Sequence, residues 1–240
     1  MLKQTVLITG ANKSIGLETA RRLGELGYRI WLGSRDPLRG EVAAQALRER
    51  GYDIRVLQID VTSDDSVRNA AERVKQEDGR LDVLINNAGI LGDTSAPGTM
   101  PLSAIQEVYN VNVFGPIRTT QAFLPLLRAA PHANIVMVSS GLGSFGWLSD
   151  PSNEFAAINI LGYNSSKSAL NAVMLSFAKE LAASGIRVNA ADPGYTKTDF
   201  NQHSGYRTVE QAAEVIVRLA TLDRNGPTAG YFDDRGVIPW

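Results

Sequence analysis

Tyr163 and Lys167 stand four residues apart in the run Tyr163-Asn164-Ser165-Ser166-Lys167. On a helix that spacing stacks both side chains on one face. Free tyrosine has a pKa of about 10, and a neighbouring positive charge favours the phenolate. Such a pair can act as an acid or a base near neutral pH. Taken alone, it is equally a surface aromatic over a solvated lysine. Other chemistries are scarce in this chain. It has no cysteine, which removes disulfides, thiolate metal sites and a thiol nucleophile. Its two histidines, His132 and His203, lack a second histidine or a carboxylate at metal-ligand spacing, so no metal site is expected. His132 reads as a loop residue, and His203 falls in a short segment that is able to touch substrate.

The elements that must position the pair follow from the hydrophobic pattern. Strands are expected at about residues 3–9, 28–33, 54–59, 81–85, 134–139 and 186–190, with an edge strand at 230–232. Helices are expected at about 14–26, 37–50, 63–78, 102–130, 160–184 and 208–222. The long helix should bend at Gly115-Pro116 and near Pro125. Thr62 or Ser63 should cap the third helix, and Thr208-Val209-Glu210-Gln211 reads as a capping box. Strand and helix alternate with no linker, so the chain reads as one α/β domain over 1–240. Near-continuous apolar strands imply a doubly wound parallel sheet of about seven strands, covered by helices on both faces. Two stretches, about 141–159 and 195–207, lack a pattern and suit a ligand crevice.

The 240 residues are 44% hydrophobic and 20% charged, enough for an ordinary soluble core, and the formal net charge is −1. That balance gives no electrostatic reason to bind nucleic acid or an anionic membrane. The opening Met1-Leu2-Lys3-Gln4 is too short for a signal peptide, and no apolar run approaches a membrane span, so a cytoplasmic protein is expected.

The first strand runs into Thr9-Gly10-Ala11-Asn12-Lys13-Ser14-Ile15-Gly16 and then a helix. Glycines there allow positive φ and close approach of a phosphate, and the helix N-terminus supplies free N–H groups. At the end of strand two, an acid would bind the ribose of NAD. Here the run is Gly33-Ser34-Arg35-Asp36, with Ser34 at that point, Arg35 directly after it and Lys13 in the phosphate turn. Two cations converging on one ribose suit a 2′-phosphate, hence NADP(H). Asp36 is expected to turn away toward the next helix.

The turn resembles the T-G-x-x-x-G-x-G fingerprint of the short-chain dehydrogenase/reductase family, with Thr9, Gly10 and Gly16 matching and Ser14 in place of the middle glycine. The resemblance implies a Rossmann-type fold and continues in order. Asp60-Val61 resembles the adenine-binding pair. Asn86-Asn87-Ala88-Gly89 matches N-N-A-G. Asn112 matches the catalytic asparagine and Ser140 the catalytic serine, while Ser139 is set aside. Tyr163 and Lys167 match the catalytic pair. Pro193-Gly194-Tyr195-Thr196-Lys197-Thr198 matches P-G-x-x-x-T, which borders the nicotinamide and pyrophosphate. The cofactor site so implied comprises Gly10, Asn12, Lys13, Ser14, Ile15, Gly16, Arg35, Asp60, Val61, Asn87, Ala88, Gly89, Tyr163, Lys167, Pro193, Gly194, Thr196 and Thr198. Asn12-Lys13, the tail from Gly226-Pro227 to Trp240 and the long Ser140–Tyr163 spacing resemble the carbonyl-reductase branch. The 141–159 insertion is expected to line a substrate pocket, cover a helix face, or do both.

The resemblance implies a mechanism. Ser140 orients a ketone or aldehyde oxygen, Tyr163 gives it a proton, Lys167 lowers the phenol pKa and holds the nicotinamide ribose, and Asn112 holds a water linking Lys167 to solvent. NADPH-dependent reduction of a small carbonyl substrate is the leading reading. The alternatives are an NAD(P)-dependent alcohol dehydrogenase or quinone/cyclic-ketone reductase on the same site, and a non-catalytic dinucleotide sensor. The complete residue set argues against the sensor. The sequence leaves monomer and homo-oligomer equally open.

Overall fold

The structure is a computed structural model that describes residues 3–240; Met1 and Leu2 lie outside the described residues. Seven parallel strands form one sheet in the order β3-β2-β1-β4-β5-β6-β7. They are β1 Thr5–Ile8, β2 Arg29–Ser34, β3 Asp53–Gln58, β4 Val83–Asn86, β5 Asn134–Val138, β6 Arg187–Ala191 and β7 Tyr231–Phe232. The order reverses between β1 and β4, so the carboxyl ends of those strands flank the crevice where open α/β sheets bind ligands.

Helices α1 (Ser14–Glu25), α2 (Pro37–Arg48), α3 (Asp64–Asp78), α4 (Leu102–Tyr109), α5 (Gly115–Arg128), α6 (Phe145–Ser149), α7 (Leu161–Leu181) and α8 (Val209–Ala220) complete the chain. The central strands are buried on both faces and separate two apolar cores. One packs Leu7, Trp31, Leu84 and Met137 with Phe123 of α5 and Met174 of α7. The other packs Val6, Ile8 and Val136 with Leu23 of α1 and Ile216 of α8. Alternation of side chains across each strand feeds both cores from one short apolar run. No helix among the described residues is long and apolar enough to cross a membrane.

Caps follow local chemistry. The Ser63 hydroxyl caps α3, and Gly79 ends it at φ 70. Asp36 accepts from the N–H groups of Leu38 and Arg39, turning away toward α2 as expected. Thr208 and Gln211 form their capping box. The expected long helix is divided. Residues Asn110–Phe114 form one π-helical turn between α4 and α5. Pro116 has no N–H to give the Asn112 carbonyl, so the chain widens there. α5 then continues through Pro125.

Candidate active site

Strand ends and one helix build the site. Lys167 and Tyr163 project from α7, and the Lys167 ammonium lies 5.5 Å from the centre of the Tyr163 ring. Both are buried, at 5% and 9% exposure. The Lys167 Nζ donates to the carbonyl of Val138, the last residue of β5, at 2.8 Å. Ser139 and Ser140 follow directly. Ser139 is buried and donates its hydroxyl to Asn171 at 2.7 Å, which makes it structural. Ser140 is half-buried, caps a short 3-10 turn through Leu142, and faces the Tyr163 phenol.

Asn112 is fully buried in the π-helical turn. Its Oδ1 accepts from Ile90 N–H, and its Nδ2 donates to the Ile90 carbonyl and the Ser166 hydroxyl. The side chain therefore braces α7 against the loop after β4. Gly89 lies against the same group: a Cβ there would be 3.4 Å from Asn112 Oδ1 and 3.8 Å from Lys167 Nζ.

One sequence expectation is corrected. Lys167 was expected to lower the Tyr163 pKa. Burial instead pushes the phenol well above its ordinary value; the Ser140 hydroxyl works against this and the Asp192 carboxylate adds to it. Burial also brings Lys167 down to about 8, against the pull of Asp192. In both groups desolvation is the largest cause. Tyr163 is a neutral phenol at neutral pH, the state of a proton donor.

The phosphate turn is built for close approach. Gly10 has φ 63, and Ser14, in place of a glycine, still adopts φ 54. The N-cap residue, Lys13, makes no side-chain cap bond to the N–H groups that open α1 at Ser14, Ile15 and Gly16. A Cβ on Gly16 would sit 2.6 Å from Asn87 Nδ2. Asn87 donates to the carbonyls of Thr9 and Gly10, and the Thr9 hydroxyl receives the N–H groups of Asn87 and Ala88. This uncapped helix end beside small residues fits a dinucleotide pyrophosphate.

Toward the adenosine side, Ser34 is buried and gives its hydroxyl to the Asp36 carbonyl, and Arg35 is exposed. Burial raises the proton affinity of Asp60, but hydrogen bonds from Thr62 and the charges of Arg35 and Arg118 outweigh it and lower its pKa. Val61 is buried, with its carbonyl bound by Arg118. Asn12 is half-buried in the turn. Lys13 is not held beside Arg35: its ammonium pairs with Asp199 at 3.0 Å. Asp199 also pairs with His203, four residues on, at 3.0 Å, so this histidine does have a carboxylate at that spacing. Among the described residues, no group of three or more potential ligands gathers around it.

The P-G-x-x-x-T segment curls over this edge. Gly194 has φ 72, and Thr196 donates its hydroxyl to the Pro193 and Gly194 carbonyls. Thr198 N–H is held by Asn201 at 3.3 Å. The segment 195–207 folds on itself through the Thr196–Arg207 bridge and brings Phe200 edge-on to the Tyr163 ring at 5.6 Å. In the 141–159 insertion, Trp147 packs on Phe155 at 5.6 Å, and both cover Gly141 next to Ser140. The open groove of about 420 Å³ between α5 and α7, lined by Ile117, Val173 and Phe177, includes no residue of that insertion. The insertion therefore walls the site and leaves that face free.

Several site neighbours carry no sequence motif. Tyr231 donates its hydroxyl to the Ser140 carbonyl. Trp240 stacks on Tyr231 at 5.8 Å, and its carbonyl accepts from Gly146 N–H. Gly143 presses on the Lys167 backbone, where a Cβ would be 2.8 Å away. Asp192, adjoining the quoted Pro193-Gly194, reads in sequence as a turn residue.

The short chain dehydrogenase family model matches residues 4–208. The chain belongs to the short-chain dehydrogenase/reductase family. It is thus an oxidoreductase of a family acting on alcohol and ketone groups. It is 38% identical over 225 residues to a short-chain dehydrogenase of Penicillium roqueforti, covering 91% of this chain and 89% of that one. It is 33% identical over 286 residues to (+)-neomenthol dehydrogenase of Arabidopsis thaliana, with 97% and 96% covered. Among solved structures, the NADPH-bound carbonyl reductase from chicken fatty liver superposes with a TM-score of 0.88 at 28% identity, covering 100% of both chains.

Proposed function

We propose that this short-chain dehydrogenase/reductase reduces a ketone or aldehyde to the alcohol with NADPH, as a carbonyl reductase. The observation that carries the reading is the buried Tyr163–Lys167 pair on α7, with the ammonium 5.5 Å from the ring centre, next to the Ser140 turn. Tyr163 gives its proton to the carbonyl oxygen as hydride arrives, and takes one in the reverse reaction. Ser140 orients the oxygen with a hydrogen bond. Lys167 holds positive charge behind Tyr163, and Asn112 fixes α7 so that both stay aligned. Gly10, Ser14, Ile15, Gly16 and Asn87 would hold the pyrophosphate; Pro193, Gly194, Thr196 and Thr198 would border the nicotinamide. The cofactor, when bound, supplies the hydride.

Arg35 supports the choice of NADP(H), because it is an exposed cation at the end of β2 where Ser34 offers no carboxylate for a ribose. Lys13 joins it once a 2′-phosphate competes with Asp199, since that ion pair is exposed and weak. Phe200, Trp147 and Phe155 around the pair favour an apolar substrate, and the name of the neomenthol dehydrogenase relative points the same way.

The test is oxidation of NADPH and of NADH across a panel of aliphatic, cyclic and aromatic carbonyls. NADPH oxidation dependent on an apolar carbonyl is expected. Arg35→Ala should raise KM for NADPH at least about tenfold and leave that for NADH nearly unchanged, because the charge-assisted bonds exist only with the 2′-phosphate. An equal rise for both cofactors makes Arg35 structural.

A further inference from the structure

A carboxylate from the substrate side of the crevice holds the cation of the phosphate turn. Asp199 opens the 3-10 turn Asp199–Asn201 inside the 195–207 segment. Its Oδ2 lies 3.0 Å from the Lys13 ammonium, and its Oδ1 lies 3.0 Å from His203 Nε2. Lys13 directly precedes α1 and stands 186 positions earlier in the chain, so the ion pair joins the turn after β1 to the segment after β6. The residue after Asp199 is Phe200, which stands edge-on to the Tyr163 ring at 5.6 Å. One short turn therefore faces two ways. Its carboxylate reaches the phosphate turn, and its aromatic neighbour covers the proton donor.

The segment is anchored at its base. Lys197 N–H donates to the Arg207 carbonyl at 2.9 Å, and the Arg207 guanidinium pairs with Asp234 at 2.9 Å. The bonds of the tip are internal. Asn201 Nδ2 donates to the Thr196 carbonyl at 2.8 Å, and His203 N–H donates to the Thr198 carbonyl at 2.8 Å. Among the described residues, the only polar bond from residues 198–204 to anything outside the segment is the one to Lys13. The tip is also strained. Gln202 and His203 hold φ 53 and 61 in succession, a left-handed conformation unfavourable for residues with a Cβ. Strain in a tip held from outside by a single ion pair favours its release once that pair is broken.

We propose that Asp199 makes access to Tyr163 depend on the cofactor's 2′-phosphate: paired with Lys13 it keeps Phe200 over the phenol, and a 2′-phosphate that takes Lys13 frees the tip and admits the carbonyl substrate. The proposal rests on the reading that Lys13 meets that phosphate. Arg35 and Lys13 together offer the phosphate two cations, and a phosphate carries more charge than one exposed carboxylate, so it draws the ammonium away from Asp199. NADPH then uncovers the site, NADH does not, and cofactor binds before carbonyl. The first test needs no turnover. Ring-¹³C-labelled tyrosine is followed by NMR, and the Tyr163 signal is assigned by its loss in Tyr163→Phe. Phe200→Leu removes the ring current of Phe200 and marks the uncovered position. Asp199→Asn should move the Tyr163 signal toward that position. Saturating adenosine 2′,5′-bisphosphate, which has the phosphate and no nicotinamide, should move it the same way in the parent and not in Lys13→Met. The Lys13 and Asp199 side chains are 62% and 59% exposed, so neither substitution disturbs the core. An unmoved signal in Asp199→Asn, or in the parent with the bisphosphate bound, overturns the gate.

The second test is NADPH titration by fluorescence. An exposed ion pair is worth a factor of about two to five, so Asp199→Asn should tighten NADPH by about that factor. In the Lys13→Met background the same substitution should change nothing, because the competition it relieves is already gone. Weaker NADPH binding in Asp199→Asn would mean that the pair clasps the bound cofactor, and that overturns the gate. Failure of the underlying reading looks different. If Lys13→Met binds the bisphosphate as tightly as the parent, Lys13 is not at the 2′-phosphate; if binding depends on Lys13 and Tyr163 stays covered, the gate alone is wrong.

Discussion

At the scale of single residues, burial sets the chemistry of the catalytic pair. A phenol and an amine removed from water both move toward their neutral forms, which raises Tyr163 and lowers Lys167. Tyr163→Phe should cut kcat by at least about 10²-fold, as expected for loss of a general acid, and leave NADPH binding nearly intact. Retention of more than about a tenth of kcat in steady-state assays would falsify the role. Lys167 also affects stability. Its pKa falls from 10.5 unfolded to about 8 folded, so between these values the unfolded chain binds more protons and stability rises with pH. Lys167→Met lacks that dependence. The stability of Lys167→Met minus that of the parent should therefore decline as pH rises from about 8 to about 10.5, by about 3 kcal/mol over the whole window, as read from urea unfolding at several pH values. A constant difference would mean that Lys167 is not desolvated.

At the scale of elements, the phosphate turn and the π-helical turn are where local rules bend. Ser14 holds φ 54, a left-handed conformation that costs a residue with a Cβ. Ser14→Gly should bind NADPH at least as tightly as the parent, because it removes a Cβ from a left-handed position beside the anion site. Ser14→Ala should match the parent within about threefold, since the N–H groups and not the hydroxyl make the site. Fluorescence titration of the three proteins checks this; a loss of more than about tenfold in the glycine variant would make the hydroxyl a ligand. Asn112 is placed by the other irregularity. A regular helix would rotate it off the face that meets Ile90 and Ser166, and the extra residue in the turn at Asn110–Phe114 brings it there.

At the scale of the whole molecule, distant segments converge on the turn after β5. Trp240 stacks on Tyr231, Tyr231 holds the Ser140 carbonyl, and the Pro239 carbonyl accepts the Ser144 hydroxyl at 2.6 Å. The end of the chain thus buttresses a residue a hundred positions earlier. Trp240→Ala should lower kcat about three- to tenfold with little change in KM for NADPH, because it loosens the Ser140 turn and leaves the phosphate turn alone. A parallel rise in that KM would show instead that the whole crevice depends on the tail. The drop in melting temperature should be modest, since half of the ring is solvent-exposed, and a thermal melt beside the kinetics reads it directly.

What the sequence alone determined is local or short-range. Apolar runs of four to six residues dictate the buried strands, helical spacing dictates α1 and α7, and Asp36, Ser63 and Thr208 cap within a few residues of themselves. The one-turn spacing of Tyr163 and Lys167 is likewise a property of the helix that carries them. The tertiary structure decided what depends on contacts across the chain. It gave Lys13 to Asp199, bound the Asn112 amide to Ile90 and Ser166, set Phe200 on Tyr163, and brought Tyr231 and Trp240 to the Ser140 turn. It also reversed the expected direction at Tyr163. An adjacent charge can be read from spacing, but desolvation depends on everything packed around the phenol, and that exists only once the sheet, α7 and the 195–207 segment have closed over it.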